Sequence, residues 1–131
     1  MARTGSSVVY LDTHIVVWLY AGLTEKLTEP AKSAIETSQV LISQMVRLEL
    51  QYLYKIKRVK VAPTTILNSL AHAIDLKVSD CPLNKITDIS LKTSWTRDVF
   101  DRLITAEAIL VSAGLITADR TIRTNFKQAI W

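Results

Sequence analysis

The chain has 131 residues, of which 49% are apolar and 21% charged, with a formal net charge of +4. This composition excludes a disordered chain and predicts one globular domain over residues 1–131 with a sizeable core. The longest apolar stretch, Ile15 to Ala21, is too short to cross a membrane, and the lone Cys81 cannot form an internal disulfide. We therefore expect a cytoplasmic protein with no membrane partner, whose mild positive charge is compatible with a polyanion.

Short apolar runs alternate with amphipathic segments along the chain, after a polar lead-in at residues 1–7. The short, β-branched runs predict strands at residues 8–12, 40–43, 76–78, 115–118 and 129–131. The amphipathic segments predict helices at residues 13–21, 28–37, 44–57, 63–72, 82–93, 99–113 and 120–125. Gly22 and Gly114 are placed to end the first and sixth of these helices. The alternation predicts an α/β fold with a parallel sheet flanked by helices.

Two of the predicted strands end on a carboxylate. Asp12 follows the first strand, and Asp119 follows the fourth. In an open parallel sheet, the carboxyl ends of the strands form the crevice where ligands bind, so we expect both acids at that edge. Each acid also has a simpler interpretation as a helix N-cap, where aspartate is favoured. The sequence leaves both interpretations open.

Two further acids interrupt apolar helical segments. Glu49 lies mid-helix between Leu48 and Leu50, where it cannot cap; the alternative to a functional role is an exposed position or a buried pair with an arginine. Asp101 lies near a helix start where the helix dipole would also favour it, and Asp98 is suited to cap that helix. Because uncompensated buried carboxylates are costly, acids that converge on one crevice predict a metal site.

The residue types indicate which metal and which chemistry. Oxygen-only ligation suits Mg²⁺ or Mn²⁺, and the His and Cys spacing of zinc sites is absent. The sequence also lacks Gly-rich nucleotide-binding motifs and a G-x-S-x-G nucleophile elbow. Candidate contacts for substrate phosphates are Arg97, Arg102 and Arg120. A basic cluster at a predicted helix end either guides nucleic acid or is a solvated helix terminus; it comprises Lys55, Lys57, Arg58 and Lys60.

Four segments, in order, resemble a known family. They are Val9-Tyr10-Leu11-Asp12-Thr13-His14, Leu41-Ile42-Ser43 followed by Leu48-Glu49-Leu50, Ser94-Trp95-Thr96-Arg97-Asp98-Val99-Phe100-Asp101-Arg102-Leu103-Ile104, and Leu115-Ile116-Thr117-Ala118-Asp119. Together they resemble a PIN-domain nuclease, and most of all the VapC-type toxins of bacterial toxin–antitoxin systems. The resemblance covers essentially the whole chain.

The resemblance carries expectations about fold and site. It implies a three-layer α/β/α domain with a central parallel sheet of four to five short strands. The family's catalytic and metal-binding acids carry over onto Asp12, Glu49, Asp101 and Asp119, with Asp98 as an accessory acid. Two positions depart from the family pattern: Val99 stands where proline is common, and Glu107 where glutamine is usual. We expect neither change to affect the chemistry.

The resemblance also implies an activity and partners. The activity is that of a divalent-metal-dependent endoribonuclease that cleaves RNA and uses Mg²⁺, with Mn²⁺ as a substitute. The expected assembly is a homodimer, and the expected protein partner is a small antitoxin of VapB type. One alternative is a non-catalytic PIN-fold module that binds RNA or assembles with partners. Another is a small-molecule phosphohydrolase of the haloacid dehalogenase kind; that chemistry needs a second aspartate two residues after Asp12, where this chain has His14.

Overall fold

A sheet of five parallel strands forms the centre of the protein. The computed structural model describes residues 7–131, so nearly all of the expected lead-in at residues 1–7 lies outside the described part. The strands are β1 (Val8–Leu11), β2 (Gln39–Ile42), β3 (Lys77–Val78), β4 (Gly114–Ile116) and β5 (Ala129–Ile130). Their order across the sheet is β3-β2-β1-β4-β5, and every neighbouring pair is parallel.

Helices connect the strands at the positions that the sequence predicts. Within residues 7–131 they are α1 (Thr13–Tyr20), α2 (Glu29–Thr37), α3 (Gln44–Lys55), α4 (Pro63–Ile74), α5 (Leu83–Ser90), α6 (Val99–Leu110) and α7 (Arg120–Asn125), with a 3₁₀ turn at Thr24–Lys26. None of these helices combines the length and hydrophobicity that a membrane crossing requires.

Both faces of the sheet are covered. Side chains alternate between the two faces of a strand, yet Val9, Tyr10 and Leu11 are 4%, 0% and 0% exposed. A central strand that is buried on both faces requires helices above and below it. The three-layer α/β/α architecture is therefore confirmed.

Helix starts are set by short polar side chains. Ser43, predicted as the last residue of the second strand, instead caps α3: its hydroxyl accepts a hydrogen bond of 3.0 Å from the Met45 amide. Asp12, Asp98 and Asp119 cap α1, α6 and α7 in the same way. These caps satisfy amide groups that have no partner inside the helix, which explains why the helices begin there.

The end of the sixth helix differs from the prediction. Helix α6 ends at Leu110 rather than Ala113, and Gly114 is the first residue of β4 rather than a helix cap. The left-handed turn is made by Ser112, with φ of 55°. Gly114 is needed for a close approach instead, because a Cβ there would lie 2.7 Å from Ile130 Cδ1 on the neighbouring strand.

Two other helices are shorter than predicted. Helix α3 ends at Lys55 rather than Lys57, which takes a left-handed φ of 63°. Helix α5 ends at Ser90 rather than Thr93.

The order in which strands are added to the sheet switches sides at β1. Strands β2 and β3 lie on one side of β1, and strands β4 and β5 lie on the other. Such a switch opens a crevice at the carboxyl ends of β1 and β4.

Candidate active site

A pocket at this crevice collects all the acids that the sequence singles out. It has a volume of about 320 Å³ and is lined by Asp12, His14, Trp18, Glu49, Asp98, Asp101, Ala118 and Asp119. The acids come from the ends of β1 and β4, the middle of α3 and the start of α6. The predicted convergence is therefore present, while the chemical role of each acid stays a prediction.

Asp12 is the most enclosed of these acids, at 7% exposed. Its Oδ1 accepts a hydrogen bond of 2.8 Å from the Thr13 amide, and its Oδ2 accepts one of 2.6 Å from the Thr117 hydroxyl. The capping and functional interpretations of Asp12 are thus compatible, because the capping carboxylate also faces the pocket. Burial raises the pKa of Asp12, and the hydrogen bonds from Thr117 and Thr13 partly oppose that rise.

Two buried threonines hold the acids in place, and sequence reasoning missed both. Thr117 donates to Asp12 and accepts a hydrogen bond of 3.0 Å from the Asp119 amide, so it couples the two strand-end acids. Thr13 donates a hydrogen bond from its hydroxyl to Glu49 Oε1, which couples α1 to α3. Both threonines are fully buried. Their positions beside the acids were the only available signal, because threonine is common in strands and at helix starts.

Glu49 and Asp101 are raised in pKa by the same two causes. For Glu49, burial is the larger cause, and the nearby charge of Asp12 adds to it. For Asp101, burial and the charges of the neighbouring acids, with Asp98 the largest contributor, raise the pKa to about 7. The carboxyl of Asp101 has no hydrogen-bond partner among the residues that the structure describes, so no hydrogen bond offsets this rise.

Among the described residues, none of the pocket acids forms a close ion pair. Within residues 7–131, the one ion pair closer than 4.0 Å joins Lys32 and Glu29, far from these acids in the sequence. As the side chains stand, no three His, Cys, Asp or Glu groups in that range meet closely enough to hold a single ion. Repulsion between carboxylates opposes closer approach unless a cation lies between them. The carboxylate donors of the pocket, and the raised pKa values of Asp12, Glu49 and Asp101, fit a hard divalent cation.

The candidate arginines divide into two kinds. Arg97 and Arg120 are exposed and adjoin pocket-lining acids in the sequence, so they remain available to a phosphate. Arg102 is different: its Nη2 donates to the carbonyl oxygens of Ser90 and Thr93 at 3.1 and 2.9 Å. Arg102 therefore ties the end of α5 to α6 through Nη2, and its role as a phosphate contact stays a prediction.

Three other residues singled out in the sequence lie at the pocket wall or outside the pocket. His14 is exposed at the pocket wall, with its ring 6.5 Å from that of Trp18. Glu107 faces away from the pocket, as expected, but it is only 1% exposed and its Oε2 has no partner among the described residues. It faces the Tyr10 hydroxyl, whose pKa is raised chiefly by burial. Val99 begins α6 at an exposed position in place of the expected proline.

Comparisons with known proteins agree with this architecture. The family model described as PIN domain matches residues 9–126. The curated protein Ribonuclease VapC22 of Mycobacterium tuberculosis (strain ATCC 25618 / H37Rv) is 30% identical over 122 residues, which is 91% of this chain and 92% of that protein. A chain of the crystal structure of VapBC2 from Rickettsia felis, bound to a DNA fragment from its promoter, superposes with a TM-score of 0.63 at 18% identity. That match covers 95% of this chain and 99% of the other. The chain therefore belongs to the PIN-domain family, among its VapC-type members.

Proposed function

We propose that the protein is a divalent-metal-dependent endoribonuclease, the toxin of a type II toxin–antitoxin pair. The observation that carries this proposal is the pocket in which Asp12, Glu49, Asp101 and Asp119 converge, none of them in an ion pair closer than 4.0 Å with another described residue. A pocket of carboxylates that form no ion pair suits a metal-assisted displacement at phosphorus. The relative's name, a ribonuclease, supports RNA as the substrate.

The same acids would hold the metal. Asp12 and Asp101 are our candidates for direct ligands, and Glu49 and Asp119 would complete the shell or orient the attacking water. Asp98 would serve as an accessory acid. A bound Mg²⁺, or Mn²⁺ in its place, would lower the pKa of a water molecule and neutralise negative charge that develops on the phosphate.

The protein's own contribution is orientation. Both oxygens of Asp12 are fixed by hydrogen bonds from Thr13 and Thr117, so the direction in which its carboxylate faces the pocket is set before substrate arrives. Within residues 7–131, Glu49 is anchored through Oε1 alone, which leaves Oε2 to accept a proton from, or to align, the attacking water. Preset groups of this kind avoid the cost of reorganisation during the reaction.

Substrate phosphates need positive groups outside the acid pocket. The exposed guanidinium groups of Arg97 and Arg120 adjoin Asp98 and Asp119 and can form paired hydrogen bonds with phosphate oxygens. They would hold the RNA strand against the repulsion of the carboxylates. Neutralising them should raise KM more than it lowers kcat, because binding to phosphate is shared by the ground state and the transition state.

We also propose the assembly expected of the family: a homodimer, in the cytoplasm, held inactive by a small antitoxin of VapB type. The solved relative with the same fold is described as a VapBC2 complex on promoter DNA, which supports a pairing of this kind. Co-expression with the protein encoded by the adjacent open reading frame tests it. A stable complex without nuclease activity is expected, and two proteins that purify separately would contradict it.

The activity itself is tested by incubating end-labelled total RNA with Mg²⁺ or Mn²⁺. We expect discrete fragments that disappear in EDTA and in the Asp12→Asn variant, which keeps an acceptor for the Thr13 amide and so should stay folded. Cleavage by that variant would refute the assignment of the acids. Absence of cleavage by folded, antitoxin-free protein, together with no stabilisation by Mg²⁺ or Mn²⁺, would favour the non-catalytic RNA-binding module.

A further inference from the structure

An aromatic pair, the exposed Tyr52 and the partly buried Phe100, lies on the two helices that supply Glu49 and Asp101 to the pocket. Tyr52 is 52% exposed, and its ring centroid lies 6.3 Å from that of Phe100 at an angle of 35°. Tyr52 follows Glu49 by three residues on α3, and Phe100 immediately precedes Asp101 on α6. The two rings therefore bridge the two helices that supply acids to the pocket. Neither ring has a role in the mechanism described above.

The surroundings of this pair indicate what it can bind. Residues three apart on a helix lie on neighbouring turns, so Glu49, Tyr52 and Lys55 succeed one another along α3. Just after the end of α3, the chain carries three more exposed cations, Lys57, Arg58 and Lys60. An acid of the pocket, an exposed aromatic ring and a group of cations thus follow one another along this segment of the chain. Single-stranded nucleic acids are bound by this combination, with bases stacked on aromatic rings and the backbone held by cations.

We propose that Tyr52 and Phe100 form a subsite on which one unpaired nucleobase stacks, next to the phosphate that is cleaved. The strand then continues over the basic cluster of Lys55, Lys57, Arg58 and Lys60. This inference rests on the proposed ribonuclease function and adds to it a requirement for an unpaired nucleotide beside the scissile bond. A base inside a duplex cannot reach the rings, since its faces are already stacked.

The chain offers a matched set of variants. Tyr52→Ala removes the stacking surface, and Tyr52→Phe keeps the ring without the hydroxyl. Tyr54→Ala is the control: Tyr54 is on the same helix, 40% exposed, and makes no ring contact with Phe100 within the described residues. Stacking of one base is worth a roughly 5- to 150-fold change in affinity. Tyr52→Ala should therefore lose at least about fivefold in RNA affinity, whereas Tyr52→Phe and Tyr54→Ala should match the parent.

Binding is measured in an Asp119→Asn background with Mg²⁺, because asparagine keeps the cap of α7 and position 119 is on neither of the helices that carry the rings. The probe is a ten-nucleotide RNA that carries 2-aminopurine at one position in turn, free or annealed to its complement. We expect one position at which binding quenches the fluorescence, loss of that quenching in Tyr52→Ala, and weaker binding of the duplex. Cleavage of the same RNA by proteins with Asp119 intact should show a higher KM for Tyr52→Ala.

Each other outcome overturns the proposal in a recognisable way. If the parent cleaves RNA and Tyr52→Ala binds as Tyr54→Ala does, the subsite is absent and the ribonuclease function stands. Equal binding of duplex and single strand has the same meaning. If Tyr52→Ala changes the oligomeric state but not RNA binding, the face is an interface between copies of the chain. If the parent neither binds nor cleaves RNA, the proposed function fails and the subsite with it.

Discussion

Replacing Asp101 by asparagine should stabilise the protein at pH 8 in the absence of divalent metal. The carboxyl has a pKa raised to about 7 by burial and by the neighbouring acids, against 3.8 in an unfolded chain. At 1.36 kcal/mol per pKa unit, this difference sets an upper limit of about 4 kcal/mol on the cost of ionising Asp101 in the fold. The side chain is only half-buried, so screening by water and the lost charge–dipole attraction at the start of α6 reduce the expected gain to about 1–2 kcal/mol.

The sign of the effect fixes its pH dependence. Below about pH 4 the carboxyl is protonated in both states and contributes no pH dependence. Between about pH 4 and pH 7 the native state retains a proton that the unfolded state releases, so the free energy of unfolding falls as pH rises. Asp101→Asn should lack this part of the decline, and it should also lose any stabilisation by Mg²⁺ or Mn²⁺.

Urea unfolding from pH 4.5 to pH 8, followed by circular dichroism in EDTA, measures both curves. Asp88→Asn serves as the control, because Asp88 is an exposed acid on α5 that does not line the pocket. It should shift stability little at any pH. The reasoning is refuted if Asp101→Asn is no more stable than the wild type at pH 8, or if the two curves run parallel over this range.

Three further changes test the supporting contacts. Thr117→Val removes the donor to Asp12; it should lower the free energy of unfolding by about 1–3 kcal/mol and impair cleavage. Thr117→Ser keeps a hydroxyl and should recover both the stability and the cleavage, so equal values for the two variants would contradict this. Glu107→Gln replaces a buried carboxyl that no described cation pairs with, and it should raise stability at pH 8 by about 1 kcal/mol; a loss in urea unfolding would contradict it. Gly114→Ala should cost about 1–3 kcal/mol through overlap with Ile130, and a double-mutant cycle with Ile130→Val should recover part of that loss.

The spacing of apolar residues, together with the glycines and prolines between segments, is sufficient to predict the order of strands and helices. Short β-branched runs bounded by helices left few alternatives to a parallel sheet, and the acids at two strand ends followed from that topology. Element ends were less predictable because they depend on tertiary contacts. The sequence predicts Gly114 at the end of a helix, because glycine is common just after the last helical residue. In the structure, the packing of Ile130 against Gly114 decides its place in β4.

Within the site, the sequence predicts the acids but not the residues that hydrogen-bond to them. An acid in an apolar helix, such as Glu49, is unusual enough to attract notice. Thr13 and Thr117 are ordinary residues for their positions, and only the fold shows that each donates to a pocket carboxylate. Arg102 likewise makes contacts that the sequence does not reveal: its Nη2 donates to backbone carbonyl oxygens at the end of α5 and just beyond it.

If the proposed function is right, one divalent-metal site in this pocket both stabilises the protein and supports RNA cleavage. The direct measurement is a Mn²⁺ titration in which melting temperature and the rate of RNA cleavage are followed in the same samples, for the wild type and Asp12→Asn. We expect both quantities to rise with a common midpoint in the wild type and neither to rise in the variant. Cleavage that persists in EDTA, or Mn²⁺ stabilisation that survives in Asp12→Asn, would contradict the proposed function.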